Sequence, residues 1–158
     1  MFRELVRKNK QLPQEECIRL LKEETRGVLS VLGDDDYPYG MPMNHWYNEE
    51  DGKIYFHCGN VGHRLEALQK HKKVSFCVYD KGYKDDKHWA YKVKSVIVFG
   101  KIEIIDDIDK IIDITTKLSY KFIQDDEYIK GEIEASVHRT LLLQLNPEHI
   151  CGKLVTEA

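Results

Sequence analysis

At 158 residues, 42% hydrophobic and 32% charged, the chain has the composition of one folded domain with a core of its own, not of a disordered segment. Its net charge of -3 argues against a protein that coats nucleic acid, which needs lysine and arginine clustered on one face. Cys17, Cys58, Cys77 and Cys151 lie far apart with no Cys-x-x-Cys pair and no Cys/His ligand spacing, so neither a zinc site nor a disulfide framework is expected.

Pro13 followed by Gln14, Glu15 and Glu16 reads as the first turn of a helix, with Cys17, Leu20 and Leu21 as its buried stripe. Residues 27–32 follow as a strand. Gly33-Asp34-Asp35-Asp36 before Tyr37-Pro38 turns the chain back, and the acidic run is read as a polar hairpin turn, not a cation site. The return strand is expected over 39–47. A second turn at Glu49-Glu50-Asp51-Gly52 leads into a third strand at 53–57, in meander order. Leu65 and Leu68 mark a helix over 62–70, and 73–79 alternates as a strand. A polar loop over 82–88 precedes a long strand over 90–105. Ile108, Ile111, Ile112, Thr115 and Leu118 mark an amphipathic helix within 107–122, and a shorter helix covers 128–136. A last strand, 140–145, precedes Pro147.

About six strands, with helices between and after them, argue for an antiparallel barrel or an α+β arrangement; a mainly β protein, a barrel with flanking helices, is expected, in a single domain over 1–158. There is no Gly-x-Gly-x-x-Gly and no Walker-type loop. No apolar run reaches the length of a signal peptide or a membrane span, so a soluble cytoplasmic protein without membrane or nucleic-acid partners is expected.

The segment richest in chemistry is His57-Cys58-Gly59-Asn60-Val61-Gly62-His63-Arg64, a strand end, a small-residue turn and a helix start. Helix N-termini expose unpaired amides, Gly62 lets a ligand approach the backbone, and Arg64 can grip phosphate oxygens in a bidentate contact. On spacing alone an ordinary helix capped by Asn60 stands beside that reading.

Four stretches in order carry a resemblance: Asp34-Asp35-Asp36-Tyr37-Pro38-Tyr39-Gly40-Met41-Pro42, Gly52-Lys53-Ile54-Tyr55-Phe56-His57, Gly62-His63-Arg64 and Ser95-Val96-Ile97-Val98-Phe99-Gly100-Lys101. Over nearly its whole length the chain resembles the pyridoxamine-5′-phosphate-oxidase-related flavoproteins, in particular their nitroimidazole-resistance branch. That resemblance implies a six-stranded FMN-binding split barrel that forms a homodimer, with flavin at the subunit interface. It places His57, Cys58, Val61 and the Gly62-His63-Arg64 turn near the FMN phosphate, runs the backbone of Pro42, Met43 and Asn44 along the isoalloxazine edge, and brings Ser95 to the phosphate or ribityl chain. Arg64 stands where relatives commonly have lysine, and Cys58 where they have a small residue such as serine. Cys58 is read as a quiet isostere, since a reactive thiol needs exposure and a lowered pKa.

Trp46, Tyr47, Trp89 and Tyr91 are candidate walls of a pocket over the flavin, though for any one of them a core or dimer contact is the simpler account. No catalytic residue and no metal are assigned. The expected activity is an FMN-dependent oxidoreductase passing electrons from reduced nicotinamide or another donor to a small electron-poor or aromatic acceptor, as in nitro-group reduction. The alternative is a non-catalytic flavin- or haem-binding protein. Oxidation of pyridoxamine phosphate needs a second phosphate site, and the remaining arginines, Arg3, Arg7, Arg19, Arg26 and Arg139, are scattered singly.

Overall fold

A computed structural model describes residues 1–157. Helix α1, Gln14–Glu23, starts at Pro13, carries Glu15 and Glu16 in its first turn and buries Cys17, Leu20 and Leu21 as its spacing predicts. Strand β1, Arg26–Leu32, pairs with β2, Pro38–Asn44, across a tight turn in which Asp35 and Asp36 take φ of 53° and 61°. Aspartate tolerates that left-handed region better than most residues, so the acidic run is a turn. Among the described residues no cluster of His, Cys, Asp and Glu could hold a metal ion, and no helix is long and apolar enough to cross a membrane.

Strands β3, Trp46–Asn48, and β4, Lys53–Gly59, form the next hairpin. After them come α2, His63–Lys70; β5, Lys73–Tyr79; β6, Tyr91–Ile105; α3, Ile108–Ser119; α4, Asp126–Ser136; and β7, Thr140–Glu157. The seven strands make one sheet in the order β2-β1-β5-β6-β7-β4-β3, antiparallel throughout. Its two outermost strands, β2 and β3, are joined by the single residue His45. A sheet whose opposite edges are consecutive in the chain must curl on itself, and the result is a barrel with a split alongside β2.

Three expectations need correction. The return strand over 39–47 is broken at His45, whose ring turns into the interior: it is fully buried, and its Nε2 donates to the Leu21 carbonyl at 2.7 Å. The order is not a simple meander, because β4 pairs with β7 and not with β5. The last strand does not stop before Pro147. It runs on to Glu157, and the register steps from Phe99 opposite His149 to Gly100 opposite Pro147, leaving Glu148 as the extra residue. A bulge accommodates a proline that has no N–H for the ladder. Gly100 fits there because a Cβ would run into the Asn146 carbonyl.

The interior is apolar, with Leu29, Phe56, Phe76, Val78, Val98, Leu143 and Leu145 at its centre. Helix α1 closes one end, and its Cys17 sits so near Gly152 that no side chain fits there. Lys121, just beyond α3, donates to the carbonyls of Glu24, His45 and Leu21, tying the end of α1 to the kink. Burial lowers the pKa of Lys121 to about 8, and burial followed by the charge of Lys121 lowers that of His45 to about 3. On the outer side of β4 and β7, Tyr55 and Leu142 pack against Ile111 and Ile114 of α3. Ile54, Tyr55 and Phe56 are therefore apolar without alternation, because both faces of β4 are covered.

Candidate functional site

Proline at positions 38 and 42 suits β2 as an edge strand, since neither residue can donate to a second neighbour. Beside it, where β4 ends and α2 begins, lies a cleft of about 220 Å³. Tyr39 and Met41 of β2 form one wall, and Gly59 with residues 61–65 forms the other.

Helix α2 enters this cleft through Gly62, at φ 123° and ψ 164°, a conformation open to glycine alone. Asn60 is not the cap. Gly62 occupies the N-cap position and no side chain accepts from the first-turn amides. A Cβ added at Gly59 or Gly62 would meet nothing within 4 Å, so the backbone faces open space on both sides of the turn. The helix therefore presents unpaired N–H groups and its positive dipole end to the cleft.

Arg64 is half-buried, and its Nη1 donates to the Sδ of Met43 at 3.4 Å, which holds the guanidinium against the floor of β2. His63 is pinned at the rim. Its ring stacks on Tyr39 with centroids 4.5 Å apart and planes 14° from parallel, and its Nε2 lies 3.5 Å from Asp34 Oδ2. Met43 and Cys58 point into the barrel. Burial pushes the Cys58 thiol up, against the opposing pull of Arg64, so it is a poor nucleophile in this position. Val61 is exposed at the lip of the turn.

His57 points to the other side of β4. It lines a second cleft of about 260 Å³ between the strand, α3 and α4, together with Ile111, Thr115, Ile129, Glu132 and Ile133. Desolvation against the cleft walls lowers its pKa, and the positive charge of Arg64 lowers it further. Pro42 and Asn44 lie on the outer face of the sheet, where Arg26 Nε donates to Asn44 Oδ1 at 3.3 Å. Ser95 is on that outer face too, opposite Tyr79 and Lys153, in a shallow depression shared with residues 1–5.

Within one protomer the structure thus gathers Val61, Gly62, His63, Arg64 and the flank of Met43, while His57 and Ser95 line two other clefts. Trp46 lies against Tyr55, Tyr47 packs on the core, and Trp89 and Tyr91 stand in solvent, Trp89 with 73% exposure; none of the four lines these three clefts. Tyr39 and Met41 were not among the sequence candidates. They share strand parity with Met43, and that alternation was the signal available.

The family model for pyridoxamine 5′-phosphate oxidase matches residues 13–154. The chain belongs to the pyridoxamine 5′-phosphate oxidase family. No curated protein matches it in sequence. Among solved structures, a candidate 5-nitroimidazole antibiotic resistance protein from Bacteroides thetaiotaomicron superposes with a TM-score of 0.79 at 18% identity, over 93% of this chain and 87% of that one. An FAD-binding protein from Mesorhizobium loti gives 0.66 at 20% identity, over 92% and 97%. An FAD- and haem-binding protein from Mycobacterium smegmatis gives 0.73 at 19% identity, over 92% and 73%. At these identities the likeness is one of fold: the pyridoxamine 5′-phosphate oxidase family member described here is a mainly β split barrel with flanking helices.

Proposed function

We propose that the chain is a flavoprotein that binds FMN, with the phosphate at the start of α2. The observation that carries this reading is the uncapped first turn of α2, entered through Gly62 at a φ of 123° beside Arg64. A phosphate monoester dianion matches that donor set: amides that no side chain has satisfied, a positive dipole end and a guanidinium able to hold two oxygens. The open space at Gly59 and Gly62 is what a bound phosphate group would fill. The exposed edge of β2 at Pro42 and Asn44 offers main-chain groups to the ring edge.

In this reading Ser95 reaches the cofactor from a second copy of the chain. The outer face of the sheet supports a homodimer. Pro42, Val28, Cys77, Ile97 and Cys151 lie in register as one row across five strands, and Gly40, Ser30, Ser75, Phe99 and His149 form the next. Apart from His149 these are small or apolar residues in aligned rows, none of them fully buried in the protomer, and with Phe2 stacked over Phe99 and His149 they form a surface suited to a second copy.

When bound, the flavin supplies the redox reactivity, and the chain supplies anchoring and orientation. The activity that fits is transfer of electrons from reduced nicotinamide, or another donor, to a small electron-poor or aromatic acceptor. Anaerobic stopped-flow mixing of the FMN-loaded protein with reduced nicotinamide tests it. Bleaching of the flavin followed by acceptor-dependent return of colour is the expected result. A flavin held tightly but indifferent to donors would instead make the chain a binding protein, and a chain that retains no flavin would remove both readings.

A further inference from the structure

We propose that the hairpin loop between β5 and β6 docks on helix α4 of a second copy of the chain, its lysines against carboxylates and Trp89 against the apolar side chains exposed beside that helix. The contact rests on the outer face as the surface between two copies, and adds the outlying element that each copy brings to the other.

Residues 80–90 form an ordered projection. Asp80 Oδ1 accepts from the amides of Gly82 and Lys94 at 2.9 and 3.0 Å, and Asp85 accepts from the Lys87 amide, His88 Nδ1 and Lys92 Nζ. Tyr83 and Lys92 exchange backbone hydrogen bonds at the base of the loop. These bonds occupy Asp80 and Asp85, whereas Lys81, Lys84 and Lys87 form no ion pair among the described residues and stand exposed with Tyr83 and Trp89. An ordered loop that holds a tryptophan in solvent beside unpaired lysines has the make-up of an interface, an aromatic anchor with a charged rim.

Helix α4 is its complement. Asp126, Glu127, Glu132 and Glu134 are exposed on it, and Lys130, 3.8 Å from Glu134, is the one opposing charge on the helix. Tyr128, with Phe122 and Ile123 just before the helix, leaves apolar surface in solvent beside those carboxylates.

Symmetry decides which elements meet. A surface that contacts its own copy is closed by a two-fold axis. The aligned rows cross β6 at Ile97 and Phe99; Tyr91, where β6 leaves the loop, and Ile105, where it hands over to α3, are each seven residues from Val98, roughly 23 Å along the strand. An axis running along the strands would lay hairpin on hairpin and face lysine with lysine. An axis running across them brings the hairpin of each copy to the α3–α4 end of the other, where the charges are opposite. Each copy then gives one hairpin and receives one.

Treatment of the wild-type chain with a carbodiimide, which joins amines directly to carboxylates, followed by digestion and mass spectrometry of the dimer band, tests the contact. Links from Lys84 or Lys87 to Glu127, Glu132 or Glu134 are expected, between groups that lie at opposite ends of one protomer. Sedimentation at low salt gives the dimer affinity. Lys84→Glu combined with Lys87→Glu should weaken it at least about tenfold, Trp89→Ala by a similar factor, and Glu132→Lys with Glu134→Lys should restore most of what the lysine reversal removes. A dimer with no hairpin-to-α4 link, or one whose affinity ignores the lysine reversal, overturns the proposal and leaves the outer-face contact standing. A chain that stays monomeric overturns both. The wild-type cross-links decide the matter if a variant does not fold.

Discussion

Three helices of this barrel begin in two ways. Helices α3 and α4 are each capped by an aspartate: Asp107 accepts from the Lys110 amide at 2.8 Å and Asp125 from the Tyr128 amide at 3.0 Å. Helix α2 has Gly62 where those helices have aspartate, and beside Glu66 its first turn carries Arg64, a cation that opposes the dipole. A chain that caps α3 and α4 with carboxylates has placed glycine and a guanidinium at the start of α2, an arrangement that costs stability unless an anion occupies the turn. The contrast separates a helix start that serves the fold from one suited to a ligand.

The first way to test that contrast is to stress the whole barrel and ask whether α2 responds differently. His45 supplies the largest lever. Its folded pKa of about 3 lies below the unfolded 6.5, so between those values the unfolded chain binds a proton that the folded chain does not. Stability from this group is complete above pH 6.5 and is lost as pH falls toward 3, by roughly 5 kcal/mol in total. Denaturant melts across that range should show the fall, and His45→Gln, which keeps a donor for the Leu21 carbonyl, should flatten it. Because His45 is fully buried and bonded to the Leu21 carbonyl, the loss should be global.

Next in size, Arg64→Ala should weaken FMN binding by about 1.5–3 kcal/mol, the range for a hydrogen bond to a charged group, and a fluorescence-quenching titration reads it. The same variant should leave the melting temperature nearly unchanged, since the contact given up is one to a thioether. Gly62→Ala forces a side chain into a φ of 123° and should cost about 1–3 kcal/mol of stability, together with FMN affinity. Smallest is Asp107→Ala, expected to cost about 1 kcal/mol of stability with flavin affinity intact, measured by the same two methods. If Asp107→Ala and Arg64→Ala had the same signature, the distinction between the two kinds of helix start would be broken.

Much of the scaffold is legible in local pattern. The stripe of α1, the alternation of β5 and the apolar spacing of α3 are properties of neighbouring residues, and all three elements form where the pattern puts them. The turn from Gly59 to Arg64 is legible for the same reason: a strand end, glycines and a helix start are read within eight residues. What was not legible depends on pairing across the chain. Nothing near Pro147 says that β7 continues, because the bulge that admits the proline is created by β6 and by the absence of a side chain at Gly100. His45 looks like one more strand residue until the closure of the sheet forces a kink there and the Leu21 carbonyl accepts from its ring. The orientation of His57 follows from strand parity only once Phe56 is known to face the barrel. The stack of His63 on Tyr39 joins residues that only the curled sheet brings together.

The central claim, that the start of α2 is built for a phosphate, is tested most directly by comparing the affinity of the wild-type chain for FMN and for riboflavin, which share a ring and differ in the phosphate. The account predicts that FMN binds tighter by at least about tenfold, and that Arg64→Ala removes most of the difference. Equal affinity for the two flavins, or a preference for FMN that survives Arg64→Ala undiminished, would contradict it.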